Sequence, residues 1–258
     1  MLLAIDIGNT NITIGGIKDD EIVFEARIAT DRVKTSDQYG VEIKNILELF
    51  GVTANDIEDC IISSVVPPVF NSVRTGVVKV IGKQPLVVGP GIKTGLNIQV
   101  DNPSQVGSDR IVVAVAALAE YKPPLALMDL GTATTIEIVD ENCSYIGGCI
   151  LPGVRVSLDA LTSRTSQLPG INLDQPKKVI GKNTVDCMRS GIMHGTAAML
   201  EGLVERMEEE LGYKTTVIAT GGIAQFIVPL CKRDIKLERD LLLKGLNIIY
   251  KKNMEKHR

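Results

Sequence analysis

Two carboxylates occupy matching places in this chain, each near the end of an apolar run and two residues ahead of a glycine. Leu2-Leu3-Ala4-Ile5-Asp6-Ile7-Gly8-Asn9-Thr10-Asn11 is answered by Leu125-Ala126-Leu127-Met128-Asp129-Leu130-Gly131-Thr132-Ala133-Thr134, at an offset of 123 residues. The glycine lets the backbone turn tightly and approach a ligand. Free N–H groups in such a turn, flanked by Thr and Asn side chains, suit phosphate oxygens. The carboxylate suits a cation or its water shell. Asp-x-Gly-x-Thr closes a plain hairpin as readily, so one copy alone decides nothing. Two copies in register favour two half-sites gripping one polyphosphate.

Other groups with chemical potential are not repeated. Gly107-Ser108-Asp109-Arg110 opens a segment rich in Ala and Val. Ser108 reads as a helix N-cap, accepting from orphan backbone N–H groups. Asp109, in a first turn that favours negative charge, serves either as a cap or as acceptor for a substrate alcohol's proton. Arg110 beside it can bind a carboxylate through two parallel hydrogen bonds. Gly147-Gly148-Cys149-Ile150-Leu151-Pro152-Gly153 either joins a strand to a helix or brings backbone against a ligand or partner chain. Asn183-Thr184 reads as a cap before a long helix, with Thr184 open to a substrate. Thr220-Gly221-Gly222 follows a strand and fits an adenine or ribose wall, or a bare turn.

The elements that must position these residues follow from periodicity. Both Asp-bearing runs are short and continuously apolar, as buried strands are. Each leads to an alternating strand and a polar turn (Lys18-Asp19-Asp20 and Asp140-Glu141-Asn142), then a returning strand, as in a hairpin. Helices are expected over Thr35–Phe50, Val69–Ile81, Ser108–Tyr121, Pro152–Ser163, Thr184–Glu210 and Leu241–Tyr250. Further strands are expected around Ile61–Val66, Pro85–Val88 and Val217–Ala219. Gly89–Gly107 reads as an irregular segment over the site. Gly191, Gly195 and Gly202 give the long helix a small-residue face for close packing, against either another helix or a nucleotide. Lys122-Pro123-Pro124 divides the chain into halves of residues 1–122 and 123–258. Strands backed by helices in two related halves predict an α/β architecture with a cleft between them.

Composition narrows the function classes. Of 258 residues, 45% are hydrophobic and 23% charged, with a net charge of −3 and no Trp. That balance fits a globular protein with Ile, Val and Leu cores and disfavours nucleic acid as a partner. No secretory signal and no apolar stretch of membrane-spanning length is read. The five cysteines (Cys60, Cys143, Cys149, Cys187, Cys231) form no C-x-x-C pair, which fits a reducing cytoplasm and disfavours zinc. His194 reads as packed on a helix and His257 as part of a charged tail. No P-loop, G-x-S-x-G elbow, H-E-x-x-H motif or protein-kinase set is present.

Taken together, D-x-G-N-T-N at Asp6–Asn11, G-x-D-R at Gly107–Arg110, D-x-G-T-A-T at Asp129–Thr134, G-G-x-I-x-P-G at Gly147–Gly153 and T-G-G at Thr220–Gly222 resemble the type III pantothenate kinases. These belong to the acetate and sugar kinase/Hsp70/actin superfamily, so the resemblance implies two similar ribonuclease-H-like halves in a duplicated actin-like ATPase fold. It implies ATP-dependent phosphorylation of pantothenate, the first step towards coenzyme A. Asp6, Ile7, Gly8, Asn9, Thr10, Asn11, Ile12 and Thr13, with Thr132, would hold the ATP phosphates; Gly221 and Gly222 would line the nucleotide. Asp129 would ligate a monovalent cation, K+ or NH4+, with Mg2+ accompanying the nucleotide. Gly107, Ser108, Asp109 and Arg110 would bind pantothenate, with Asp109 as proton acceptor and Thr184 touching the substrate. The resemblance also implies a cytoplasmic homodimer. Ser108 departs from the family pattern, where Ala is common. Rival expectations are a kinase of another small alcohol, an actin- or Hsp70-like ATPase, and a non-enzymatic transcriptional accessory protein. The chain is short for the additional subdomains of the ATPases. Intact Asp6, Asp109, Arg110 and Asp129 argue against a dead kinase.

Overall fold

The computed structural model describes residues 1–254, so His257 lies outside the described residues. In chain order the elements are β1 (Leu2–Ile7), β2 (Asn11–Lys18), β3 (Glu21–Ala29), α1 (Ser36–Leu49), β4 (Asp59–Ser64), α2 (Pro67–Ile81), β5 (Leu86–Val87) and β6 (Asn97–Ile98). Then come α3 (Ser108–Glu120), β7 (Leu125–Leu130), β8 (Ala133–Val139), β9 (Ser144–Pro152), α4 (Val154–Ser163), α5 (Thr184–Leu211), β10 (Thr216–Thr220), α6 (Ala224–Ile227), β11 (Lys236–Leu237) and α7 (Leu241–Met254).

The duplication read from two motifs extends to whole sheets. The first sheet runs β3-β2-β1-β4-β5, and the second runs β9-β8-β7-β10-β11 with β6 added beyond β9. In each, the first three strands pair antiparallel and the last two add in parallel beside the Asp-bearing strand. This is a mixed α/β fold with a duplicated topology. The repeat is not strict in register. Asp6 lies opposite Thr13 but Asp129 lies opposite Thr135, so the second glycine turn is one residue shorter. The following polar turn makes up the difference. Lys18 pairs with Glu21 across a two-residue turn in which Asp19 and Asp20 both have positive φ, whereas Val139 pairs with Tyr145 across a longer one. Positive φ at both central residues matches the right-handed twist of hairpin strands.

The chain forms two compact units. One comprises residues 1–96, 101–119 and the segment from Asp240 onward; the other comprises residues 97–100 and 120–239. In the first unit β1 is buried on both faces. Leu3, Ile5 and Ile7 face a core with Tyr39, Ile43 and Leu47 of α1 and Val69, Val73 and Val77 of α2. Leu2 and Ala4 face another core with Val112 and Val115 of α3 and Leu243, Leu246 and Ile249 of α7. Each fully buried Ile or Leu contributes about 1.5–3 kcal/mol. Alternation with period two therefore fixes which face every residue of β1 presents, Asp6 included. The second unit repeats this. Ala126, Met128 and Leu130 of β7 join Met193, Ala197, Leu200 and Val204 of α5, leaving Asp129 on the opposite face.

Local signals explain most boundaries. Thr35 caps α1 in a capping box with Gln38. Pro67 and Pro68 open α2 at positions where a missing N–H costs nothing. Gly82 and Gly212, both left-handed, end α2 and α5. The segment expected to be irregular carries β6, which pairs with β9. Added β-carbons at Gly191 and Gly195 of α5 would meet nothing within 4 Å, whereas one at Gly202 would lie 3.1 Å from the Arg206 guanidinium. His194 is half-buried on α5.

One buried charge stitches the second unit together. Glu208, near the end of α5, is 3% exposed. It accepts from Thr215 N at 2.8 Å, Thr215 Oγ1 at 2.9 Å, Lys214 Nζ at 2.9 Å and the Arg233 guanidinium. Burial alone would raise this carboxyl. Arg233, Thr215 and Lys214 together override it and hold the group down to about 2, against an ordinary 4.5. A depressed carboxyl contributes stability that is complete above its unfolded value and is lost as pH falls toward its folded one. Glu208→Gln should cost about 3 kcal/mol in urea unfolding near neutral pH. The gap to wild type should close between pH 4.5 and about 2.

Candidate active site

In the first unit, three chain segments meet at the carboxyl ends of β1 and β4. The first glycine turn closes through Gly8 N–H donating to Asn11 O at 3.0 Å. It is braced from β3's end, where Thr30 Oγ1 donates to Gly8 O at 2.6 Å and Thr30 N donates to Thr10 O at 2.9 Å. Asn9, Thr10 and Asn11 are exposed, whereas the Ile7 and Ile12 side chains are fully buried and can offer a ligand only backbone. Asp6 is 6% exposed and accepts from Ser63 Oγ at 2.6 Å.

Residue Ser64, the last of β4, ties this turn's strand to the unrepeated motif. Ser108 Oγ accepts from Ser64 N at 3.2 Å and donates to Ser64 O at 3.1 Å. The expectation that Ser108 caps its own helix is thus corrected. Its hydroxyl goes to the neighbouring strand because that strand's last backbone groups lack a sheet partner there. Asp109 turns back over the first turn of α3, with Oδ1 accepting from Arg110 N at 2.8 Å. Gly107 makes this possible, since a β-carbon there would lie 2.4 Å from Asp109 Oδ1. Asp109 and Arg110 are both half-buried. The first unit therefore gathers a backbone turn fit for phosphate, a buried carboxylate, and a second, half-buried carboxylate one residue ahead of an arginine.

In the second unit, Asp129 on β7 lies in register with Thr220 on β10. Thr220 leads into Gly221, whose φ is +93°. A β-carbon on Gly221 would lie 2.5 Å from Asp129 Oδ1 and 2.7 Å from Leu130 O. Gly221 therefore packs directly against the carboxylate and the Leu130 peptide, a close approach that only a residue without a side chain allows. The second turn closes through Gly131 N donating to Ala133 O at 3.0 Å. Gly153 N, at the start of α4, donates to Thr132 O at 3.2 Å. The Gly147–Gly153 stretch thus reaches the turn along β9, which runs beside β8. Thr132 and Gly222 are exposed. Thr184 is exposed as the first residue of α5, and Asn183 is the cap, accepting from Asp186 N at 2.9 Å.

Sequence reasoning missed Ser63 as a residue of this site and misread the partner of Ser108. Both sit at the end of an ordinary-looking strand or the start of an ordinary-looking helix. Among the described residues, no cluster of three or more His, Cys, Asp or Glu could hold a metal. No described helix is long and apolar enough to cross a membrane.

Comparison with known proteins places these arrangements in a family. The family model for type III pantothenate kinase matches residues 2–206. A type III pantothenate kinase of Exiguobacterium sp. is 46% identical over 99% of this chain and 100% of its own length. One from Halalkalibacterium halodurans is 44% identical over 98% and 100%. Among solved structures, a Campylobacter jejuni protein provisionally described as a Baf family transcriptional activator has a TM-score of 0.63 at 18% identity, covering 98% of this chain and 99% of that one. Component A of (R)-2-hydroxyglutaryl-CoA dehydratase from Acidaminococcus fermentans has a TM-score of 0.56 at 17% identity, covering 96% of each. Likeness at such identities concerns the fold alone; the full-length sequence relatives carry the function. The chain belongs to the type III pantothenate kinase family, and its activity is the ATP-dependent phosphorylation of pantothenate that opens coenzyme A biosynthesis.

Proposed function

We propose that Asp109 accepts the proton from the pantothenate hydroxyl as it attacks the terminal phosphate of ATP, and that Arg110 binds the pantothenate carboxylate. The observation that supports this most is the Gly107–Arg110 turn, where a glycine clears room for a half-buried carboxylate that accepts from the backbone N–H of the following, equally half-buried arginine. Gly107 and Ser108 complete the substrate turn, and Thr184 adds a contact to the same substrate. The Asp6–Thr13 turn and Thr132 bind phosphate oxygens through backbone N–H groups and hydroxyls, while Gly221 and Gly222 border the nucleotide. Phosphoryl transfer demands placement and charge compensation more than covalent help, and these residues supply both.

Asp129 is the residue assigned to a monovalent cation, K+ or NH4+. Its carboxylate and Leu130 O both lie close to Gly221, and such oxygen donors suit a hard cation. A cation there would offset phosphate charge, as would Mg2+ carried in with the nucleotide. The assignment to a cytoplasmic homodimer draws support from the free thiols of Cys60, Cys143, Cys187 and Cys231. Exposed Ile150, Val156, Val179 and Ile180 offer apolar surface to a second copy.

A coupled ADP-release assay tests the base assignment. Asp109→Asn should lower kcat at least about 100-fold while MgATP affinity changes by no more than about threefold. Near-normal turnover by this variant would remove Asp109 from the role. The cation assignment has its own test. Gly221→Ala presses a methyl group onto Asp129 Oδ1 and the Leu130 peptide, so K+ stimulation of turnover should disappear and activity should fall about tenfold or more. Undiminished K+ stimulation in that variant would move the cation elsewhere.

A further inference from the structure

We infer that Ser63 is a positioning residue for phosphoryl transfer, holding the Asp6 carboxylate in the orientation that the phosphate turn requires. The inference rests on the reading of Asp6–Thr13 as the ATP phosphate site. Ser63 is fully buried and Asp6 nearly so, and their strands run parallel with these two residues in register. Alternation puts both side chains on the face of the sheet that carries α3, since Ala4 and Ile61 pack there with Val112 and Val115.

The hydrogen bond fixes which carboxylate oxygen is engaged. Ser63 Oγ donates to Asp6 Oδ1 at 2.6 Å. That is well within the range for a hydroxyl donating to a carboxylate oxygen. A carboxylate otherwise turns broadly about its last torsion. Fixing Oδ1 against a residue 57 positions away in sequence sets the direction of Oδ2. Ser63 cannot touch a ligand itself, so any effect on catalysis must pass through Asp6. The duplicated sheet supports the placement independently, because Thr220 stands in the same register position beside Asp129. Strand β4 then serves both motifs at once. Ser63 orients Asp6, and the next residue, Ser64, is clasped by Ser108 beside Asp109.

The test is a cycle of variants measured by steady-state kinetics and by calorimetric titration with MgATP. Ser63→Ala should lower kcat/KM for MgATP about tenfold, with KM for pantothenate within about twofold of wild type. Ser63→Thr, which keeps the hydroxyl on the same β-carbon, should restore most of the loss. In an Asp6→Asn background, adding Ser63→Ala should weaken MgATP binding no further, because the two residues act as one. A merely structural Ser63 would instead lower the unfolding temperature and leave the kinetics of the folded fraction unchanged. That outcome, or losses that simply add, would overturn the inference. Near-wild-type MgATP binding and turnover by Asp6→Asn would overturn the reading of the phosphate turn as well. An impaired Asp6→Asn beside a normal Ser63→Ala would overturn the role of Ser63 alone.

Discussion

A strand covered on both faces has nowhere to put a charge except at its open end. β1 is such a strand, with its alternate residues committed to two different helical layers. A carboxylate anywhere before its final turn would be desolvated at a cost of several kcal/mol. Placed as the penultimate residue, Asp6 is still buried but within reach of a hydroxyl donor and the exposed glycine turn. β7 obeys the same constraint with Asp129. The position of each acidic group is therefore dictated by burial.

From that common origin the two halves diverge. Asp6 is held by Ser63, and the residue after Ser63 is a serine engaged by Ser108. Asp129 has a glycine of positive φ packed against its carboxylate, at the position that follows its register partner Thr220. The second turn is also one residue tighter. One half thus sets a hydroxyl against its carboxylate, and the other sets a glycine backbone there. These are different tools, built on the same strand order.

Much of this was legible in the residues. The two Asp-Gly motifs, the hairpins behind them and the principal helices follow from periodicity and from caps such as Thr35 and Asn183. What was not legible depends on neighbours that sequence does not name. β6 and β11 are two residues long and exist only because β9 and β10 lie alongside. Ile61-Ile62-Ser63-Ser64 looks like any strand running out into polar residues until β1 is set beside it. Ser108 sits where a cap belongs, and only the free backbone of Ser64 diverts its hydroxyl. The apolar stripe of α7 announces a buried face without saying which sheet receives it.

That last helix has a consequence for how the molecule is made. Leu243, Leu246 and Ile249 cover a face of the sheet that begins at Leu2. The hairpin turn at Asp20 is bonded to Asn247 and Lys251. During synthesis, therefore, the first sheet to emerge is the last to be closed. It must wait with one face only partly covered until nearly the whole chain has left the ribosome, whereas every segment of the other unit is already available by Arg239. A stop codon near the 3′ end of the message would damage the amino-terminal sheet first.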